Sequence, residues 1–170
     1  TGAVLDHGNI SMIVDFARSH DLSILTDEVY QEDVYFTDFR FYSFAGVMAE
    51  MGVRDVSLFS FHSTSKGFIG ECGHRGGYME IRNVPGEVVE QIAKLQSISL
   101  CSNLPGQVVT YCMVTPPKEG DPSRELYIAE RDLIMALLRE RAAILAEGLD
   151  SIPGIHCSPI AGAMYAFPRI

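Results

Sequence analysis

The stretch Val56-Ser-Leu-Phe-Ser-Phe61-His-Ser63-Thr-Ser65-Lys66-Gly67 joins an apolar run to a loop of serines, a lysine and a glycine. Val56 to Phe61 predicts a strand of the central sheet. After Lys66 the chain is rich in glycines, which are typical of tight turns: Gly70, Gly73, Gly76 and Gly77, with Arg75 among them. A loop of this composition at a strand end offers hydroxyl, backbone and guanidinium donors, which is the chemistry that binds phosphate.

The sequence ahead of this stretch predicts an α/β unit. Asn9 to Ser19 carries apolar residues at helical spacing, and Leu22 to Thr26 has the pattern of a short buried strand that ends at Asp27. Ligands of open α/β sheets bind outside the carboxyl ends of the strands. We therefore expect Asp27 and the loop from Ser63 to Lys66 on the same rim of the sheet.

The rest of the chain predicts further elements and one break. The elements are a helix at 43–51, a strand at 77–81 that pairs back onto the sheet, helices at 85–100, 105–114 and 124–149, and strands at 155–160 and 163–167. The prolines of segment 116–122 interrupt this pattern and mark a domain boundary. We expect one unit over residues 1–120 and the beginning of a second, smaller one over residues 121–170.

The polar residues at the two strand ends match the chemical groups of pyridoxal phosphate. The Lys66 amine can attack an aldehyde, and the Ser63 and Ser65 hydroxyls with Arg75 can hold a phosphate dianion. The Asp27 carboxylate can keep a ring nitrogen protonated. Taken singly, each feature is more often a tight loop or a solvated side chain. Their occurrence in this order after strands favours a pyridoxal-phosphate site.

Composition and charge favour a small-molecule partner. With 13 Lys and Arg against 22 Asp and Glu, the net charge of -9 gives no electrostatic reason to expect nucleic acid or a membrane as partner. The four cysteines are widely spaced and form no CxxC pair, so we expect no metal site and no disulfide framework. No apolar run approaches the roughly 18 residues of a membrane span.

Four stretches resemble the fold type I pyridoxal-phosphate enzymes of the aspartate aminotransferase superfamily, and within it the alanine aminotransferases. They are Asp27-Glu-Val-Tyr30-Gln, Ser60-Phe-His-Ser-Thr-Ser-Lys-Gly67, Gly70-Glu-Cys-Gly73 with Arg75-Gly-Gly-Tyr78, and Pro153-Gly-Ile-His-Cys157 with Gly162-Ala-Met-Tyr-Ala-Phe-Pro168. The resemblance implies an α/β fold with a mixed, mostly parallel sheet and flanking helices. It makes residues 1–120 the C-terminal part of the large cofactor-binding domain. Residues 121–170 become the connecting helix and first strands of a smaller α+β domain.

The resemblance also implies a role for each motif residue. Lys66 is the catalytic lysine that forms the Schiff base with the cofactor, and Asp27 is the partner of the pyridine nitrogen. Tyr30 donates to the phenolic oxygen of the cofactor. The cofactor phosphate is held by three further residues, Ser63, Ser65 and Arg75. No residue is assigned to a metal.

The function expected from the resemblance is transfer of an amino group from alanine to 2-oxoglutarate by a ping-pong mechanism. The substrates are then an amino acid and a 2-oxo acid. Two alternatives stay open, because they share these motifs. One is another fold type I enzyme, such as a lyase similar to aminocyclopropane carboxylate synthase. The other is a catalytically inactive module of this fold that binds the cofactor or an amino acid in a regulator.

The chain resembles the middle of such an enzyme. Thr1-Gly2 matches the end of the family's Asn-Pro-Thr-Gly motif, and the arginine that pairs with the substrate carboxylate is expected beyond Ile170. We expect a fragment of a homodimeric protein of amino-acid metabolism. A cytoplasmic location is expected, with a mitochondrial one as the alternative.

Overall fold

The computed structural model describes residues 2–36 and 38–170, so Thr1 of the Thr1-Gly2 motif lies outside the described residues. Over these described residues, five helices and five strands follow one another, with one 3-10 turn at Cys72–His74. In chain order they are α1 (His7–Ser19), β1 (Ile24–Asp27), α2 (Phe44–Glu50), β2 (Leu58–Ser63), β3 (Gly77–Arg82), α3 (Gly86–Ser97), α4 (Leu104–Val114), α5 (Arg124–Asp150), β4 (His156–Cys157) and β5 (Pro168–Arg169).

A three-stranded mixed sheet in the order β1-β2-β3 is the centre of the fold. β1 and β2 run parallel, with Asp27 opposite Phe61, and β3 returns antiparallel, with Gly77 opposite Ser63. The predicted α/β fold with a mixed sheet is thereby confirmed. Since β1 and β2 are parallel neighbours, their carboxyl ends lie at the same edge.

The main hydrophobic core lies between this sheet and the first two helices. Ile10 and Val14 of α1, Val47 of α2 and Leu58 of β2 are almost entirely buried, together with Val56 just before β2. The α1 residues recur one turn apart, so one face of the helix packs on the sheet. This packing fixes the ends of β1 and β2, from which the polar loops leave.

Side-chain caps determine where three helices begin. The Asp6 carboxylate accepts from the Asn9 backbone amide at 2.7 Å and forms a capping box at the start of α1. Ser43 Oγ accepts from the Gly46 amide at 3.0 Å at the start of α2. Asn103 does the same for Gly106 at 2.7 Å in α4. Each cap satisfies an amide that has no partner within its helix.

The strand predicted over 163–167 is wrong. Ala163 adopts a left-handed conformation with φ of 60°, and its amide donates to the Asp33 carbonyl at 3.0 Å. Tyr35 Oη donates to the Ala163 carbonyl. These long-range contacts hold the segment in a turn, and the strand that follows it, β5 at Pro168–Arg169, pairs with β4. The strand predicted at 155–160 is correspondingly reduced to His156–Cys157.

Apolar residues at the end of α3 face solvent in this chain. Leu95 is 69% exposed and Ile98, which follows the helix, is 77% exposed. Within residues 2–36 and 38–170, no helix is both long and apolar enough to cross a bilayer.

Candidate active site

Asp27 and Ser63 end the two parallel strands and face a common space. Asp27 is the last residue of β1 and Ser63 the last of β2, and both line an open cavity of about 590 Å³ together with His62 and Tyr78. The Asp27 side chain is exposed, and its Oδ1 accepts from the Val29 amide at 3.3 Å. The structure therefore brings the carboxylate and the first serine to one rim of the sheet, as the strand pattern predicts.

Thr64 anchors the loop that carries the lysine. It is fully buried, and its amide and hydroxyl both donate to the Gly76 carbonyl, at 3.1 and 3.3 Å. Its own carbonyl accepts from the Glu71 amide at 2.8 Å. The flanking Ser63 and Ser65 form a turn in which Ser63 Oγ accepts from the Ser65 amide at 3.3 Å. Buried Thr64 thus fixes this loop to Gly76, while the side chains of Ser63 and Ser65 remain partly accessible.

Lys66 lies on the exposed side of this loop. It lines a second cavity of about 220 Å³, whose wall includes Phe68, Arg124 and Arg131. His62 borders both this cavity and the one next to Asp27. The structure thus places the lysine near the rim but in a different depression from Asp27 and Ser63.

Arg75 occupies a strained turn between the loop and β3. Its backbone is left-handed, with φ of 55°, and its guanidinium donates to the Cys72 carbonyl at 2.9 Å. The carbonyl of Arg75 accepts from the Asn103 amide group at 3.2 Å. Because the side chain is exposed and bonded to one backbone carbonyl, four further N–H donors remain available for an anion.

Tyr30 carries a buried hydroxyl beside Asp27. Both residues line a third cavity of about 220 Å³, and the Tyr30 ring meets the Tyr165 ring edge-on at 5.8 Å between centroids. Burial, and after it the nearby Tyr165, raises the pKa of the Tyr30 hydroxyl. Within the described part of the chain, Tyr30 Oη has no hydrogen-bond partner of normal geometry. The Tyr165 hydroxyl is its hydrogen-bonding neighbour, at a geometry outside the normal range.

Three residues near the site were missed by the sequence reasoning. No feature of the sequence distinguishes Thr64 from other loop threonines, and His62 occurs there only within a longer motif. Asp33 is fully buried, and its carboxyl faces the Phe68 amide without a hydrogen bond of normal geometry among the described residues. Strand alternation marks His62 as a neighbour of the rim, whereas no sequence signal identifies the burial of Asp33.

The side chains at the rim suit an organic anion better than a metal. Among residues 2–36 and 38–170, no group of three His, Cys, Asp or Glu side chains is arranged to hold a metal ion. The rim instead supplies an amine, a carboxylate, hydroxyls and a guanidinium. Such a set can bind a phosphorylated aromatic aldehyde through its phosphate, ring nitrogen and carbonyl carbon.

Known proteins resemble this chain over its whole length. The family described as aminotransferase class I and II matches residues 1–170. Alanine aminotransferase 2, mitochondrial, of Arabidopsis thaliana is 48% identical over 172 residues, covering 100% of this chain and 32% of that protein. The probable alanine aminotransferase, mitochondrial, of Dictyostelium discoideum is 48% identical over 173 residues, with the same coverage.

A solved structure shows the same fold. The alanine aminotransferase from Pyrococcus furiosus matches with a TM-score of 0.83 and 28% sequence identity, over 100% of this chain and 39% of that one. The chain thus spans about a third of the length of the curated relatives it matches.

Proposed function

The chain belongs to the class I and II aminotransferases, and from this premise we propose that the protein transfers an amino group from alanine to 2-oxoglutarate with pyridoxal phosphate as cofactor. The observation that carries the proposal is the meeting of Asp27 and Ser63 at adjacent ends of parallel strands, with Lys66 three residues further on. The names of the relatives from Arabidopsis and Dictyostelium support alanine as the amino donor.

The donor set fits this cofactor. Ser63, Ser65 and Arg75 would hold its phosphate, and the Asp27 carboxylate would keep its ring nitrogen protonated. The Tyr30 hydroxyl, which lines a cavity together with Asp27 and has no hydrogen bond of normal geometry among the described residues, supports the assignment, since it could donate to the phenolic oxygen of the ring. Arg75 would turn from the Cys72 carbonyl toward the phosphate.

The reaction then divides between the cofactor and the chain. When bound, pyridoxal phosphate supplies an electron sink that makes the proton on the substrate Cα removable. The exposed Lys66 amine would take that proton and later give it up, which is general base and acid catalysis by one group. Asp27 would hold the proton on the ring nitrogen throughout.

We also propose the two-part organisation over residues 1–120 and 121–170. In its support, β4 and β5 form a second sheet, and Ala142 of α5 and Ile160 form a second buried cluster, to which Tyr35 of the first unit also belongs. Limited proteolysis in segment 116–122 tests the boundary.

The exposed apolar positions of α3, Leu95 among them, support assembly of the protein as a homodimer. Sedimentation of the purified protein in the analytical ultracentrifuge tests this assembly.

The location of the protein is proposed to be mitochondrial, in preference to the cytoplasm expected from the sequence. The support is the word mitochondrial in the names of the Arabidopsis and Dictyostelium relatives. Imaging of the full reading frame that contains this chain decides between the two compartments.

Substitution of the lysine tests the catalytic proposal. In the full reading frame, Lys66→Ala should lower the rate of pyruvate formation from alanine and 2-oxoglutarate by at least about 10²-fold, the range for loss of a general base. Lys94→Ala, which removes an exposed lysine from α3, is the matched control and should keep normal turnover. Lys66→Ala turnover within a few-fold of the wild type would contradict the proposal. A wild type that binds the cofactor without transamination would favour the lyase or the regulator.

A further inference from the structure

Asp33 lies at the junction of three chain segments. Its amide donates to the Tyr30 carbonyl at 3.0 Å, and its carbonyl accepts from the Ala163 amide at 3.0 Å. On its C-terminal side, Val34 forms an isolated antiparallel bridge with Gly162. The backbone of Asp33 therefore joins the turn after β1 to the segment that precedes β5.

The Asp33 side chain points to the third segment, the turn that follows the lysine. A Cβ built on Gly67 would lie 3.6 Å from Asp33 Oδ1, so the carboxyl lies against Gly67, the residue after Lys66. Gly67 itself is left-handed, with φ of 67°, which favours glycine at this position. The amide of Phe68 faces the carboxyl and lowers its pKa.

The burial of this carboxyl is costly. Asp33 is 0% exposed, and neither oxygen has a partner of normal hydrogen-bond geometry within the described part of the chain. Burial, and then the neighbouring Glu32, raises the pKa of Asp33 to about 6. An apolar residue at such a site would leave no group unsatisfied. Groups that are retained at the expense of stability concentrate where they serve function.

We propose that Asp33 is a positioning residue for Lys66: its buried carboxyl holds the turn Gly67–Phe68, and its backbone ties the turn after β1 to segment 161–163. The inference rests on the proposed function in one respect, that Lys66 is the reacting amine. Asp33 touches neither substrate nor cofactor in this account. It acts by fixing the backbone from which the lysine projects.

Hydrogen exchange of the full reading frame without added cofactor tests this role. In Asp33→Ala, amide exchange in residues 64–70 should rise about tenfold, as expected for loss of a charged acceptor, with β3 unchanged. Asp33→Asn should restore most of the protection, because its amide oxygen can still accept from Phe68. Asp38→Ala, which removes an exposed carboxylate from the same loop, is the control and should leave exchange unchanged.

Two outcomes would overturn the proposal. Unchanged exchange at 64–70 in Asp33→Ala would show that the carboxyl does not hold the turn. An equal rise in β3 would show a general loss of stability without a local role. Since exchange is measured without cofactor or substrate, these outcomes are independent of whether the protein is an aminotransferase.

A second measurement does not require the alanine variant to fold. In the wild type, the Gly67 and Phe68 amide resonances should titrate with a midpoint near pH 6, and this titration should vanish in Asp33→Asn. The titratable groups around Asp33 are Glu32 beside it and the hydroxyls of Tyr30 and Tyr35, both of which remain protonated near pH 6. Resonances that do not shift between pH 5 and pH 7, or that shift equally in the variant, would contradict the proposal.

Discussion

Asp27 and Glu28 are neighbours in the sequence, yet their carboxylates have different surroundings. Glu28 accepts from the Phe44 amide and from the Ser60 hydroxyl, both at 2.9 Å, and so joins the start of α2 to β2. Asp27 is exposed and faces two cavities. Successive side chains leave a strand on opposite sides, which separates the two roles. Asp27 is therefore available to a ligand, whereas Glu28 is bound within the fold.

The buried carboxyl of Asp33 should make stability depend on pH. Because folding raises its pKa from 3.8 to about 6, the folded state binds more protons between these values than the unfolded state does. Stability then falls as pH rises from about 4 to about 6 and levels off above that. Folding therefore favours the protonated carboxyl by about 2–3 kcal/mol.

Asp33→Asn removes this titration and should change the pH profile. Between pH 4 and pH 7 the free energy of unfolding of the variant should gain about 2–3 kcal/mol relative to the wild type. Chemical denaturation of both proteins across this range measures the difference. Parallel profiles for the two proteins would mean that Asp33 does not titrate in the folded state near pH 6.

At the scale of elements, α4 positions the turn of Arg75 through a contact between two glycines. A Cβ on Gly76 would lie 2.4 Å from the Gly106 carbonyl oxygen, and one on Gly106 would lie 2.7 Å from the His74 carbonyl oxygen. The backbones can approach this closely only because neither residue has a side chain. Asn103 adds a hydrogen bond to the Arg75 carbonyl from the cap of the same helix.

Gly76→Ala should therefore disturb this contact, whereas Gly73→Ala should not. The first change forces α4 away from the turn and should lower the free energy of unfolding by about 1–3 kcal/mol, as overpacking does. A Cβ on Gly73 would meet no atom within 4 Å, so this control should stay within about 0.5 kcal/mol of the wild type. Denaturant titration measures both. Equal stabilities for the two variants would show that α4 does not depend on the close approach.

The elements that could be predicted are those with a local signal. β1, β2 and α1 follow from apolar periodicity, and the return of β3 follows from the glycine-rich turn before it. The false strand at 163–167 has strand-like residues, but the contacts of Ala163 with Asp33 and Tyr35 bend it into a turn. Those partners lie over a hundred residues away, so local pattern contains no information about them.

The same distinction applies to the candidate site. Asp27, Ser63 and Lys66 could be placed at one rim because parallel strands end together. The sequence does not reveal that His62 separates two depressions, or that Arg75 is bonded to the Cys72 carbonyl. Side-chain direction and burial depend on packing between segments that are far apart in the chain.

At the scale of the whole molecule, the net charge of -9 contrasts with the cations near the rim. Lys66, Arg124 and Arg131 line one cavity, with Glu32 opposing them. A local positive field within an acidic protein can attract small anions while the overall charge disfavours polyanions. This distribution suits small anionic ligands, the class to which the proposed substrates and cofactor belong.

The most direct test of the central claim is to locate the cofactor on the chain. The full reading frame would be incubated with pyridoxal phosphate, reduced with borohydride and analysed by peptide mass spectrometry. Our account predicts one pyridoxyl adduct, on Lys66, with lower occupancy in Arg75→Ala because a phosphate donor is lost. An adduct on Lys94 or Lys118 in place of Lys66, or labelling spread over many lysines, would contradict it.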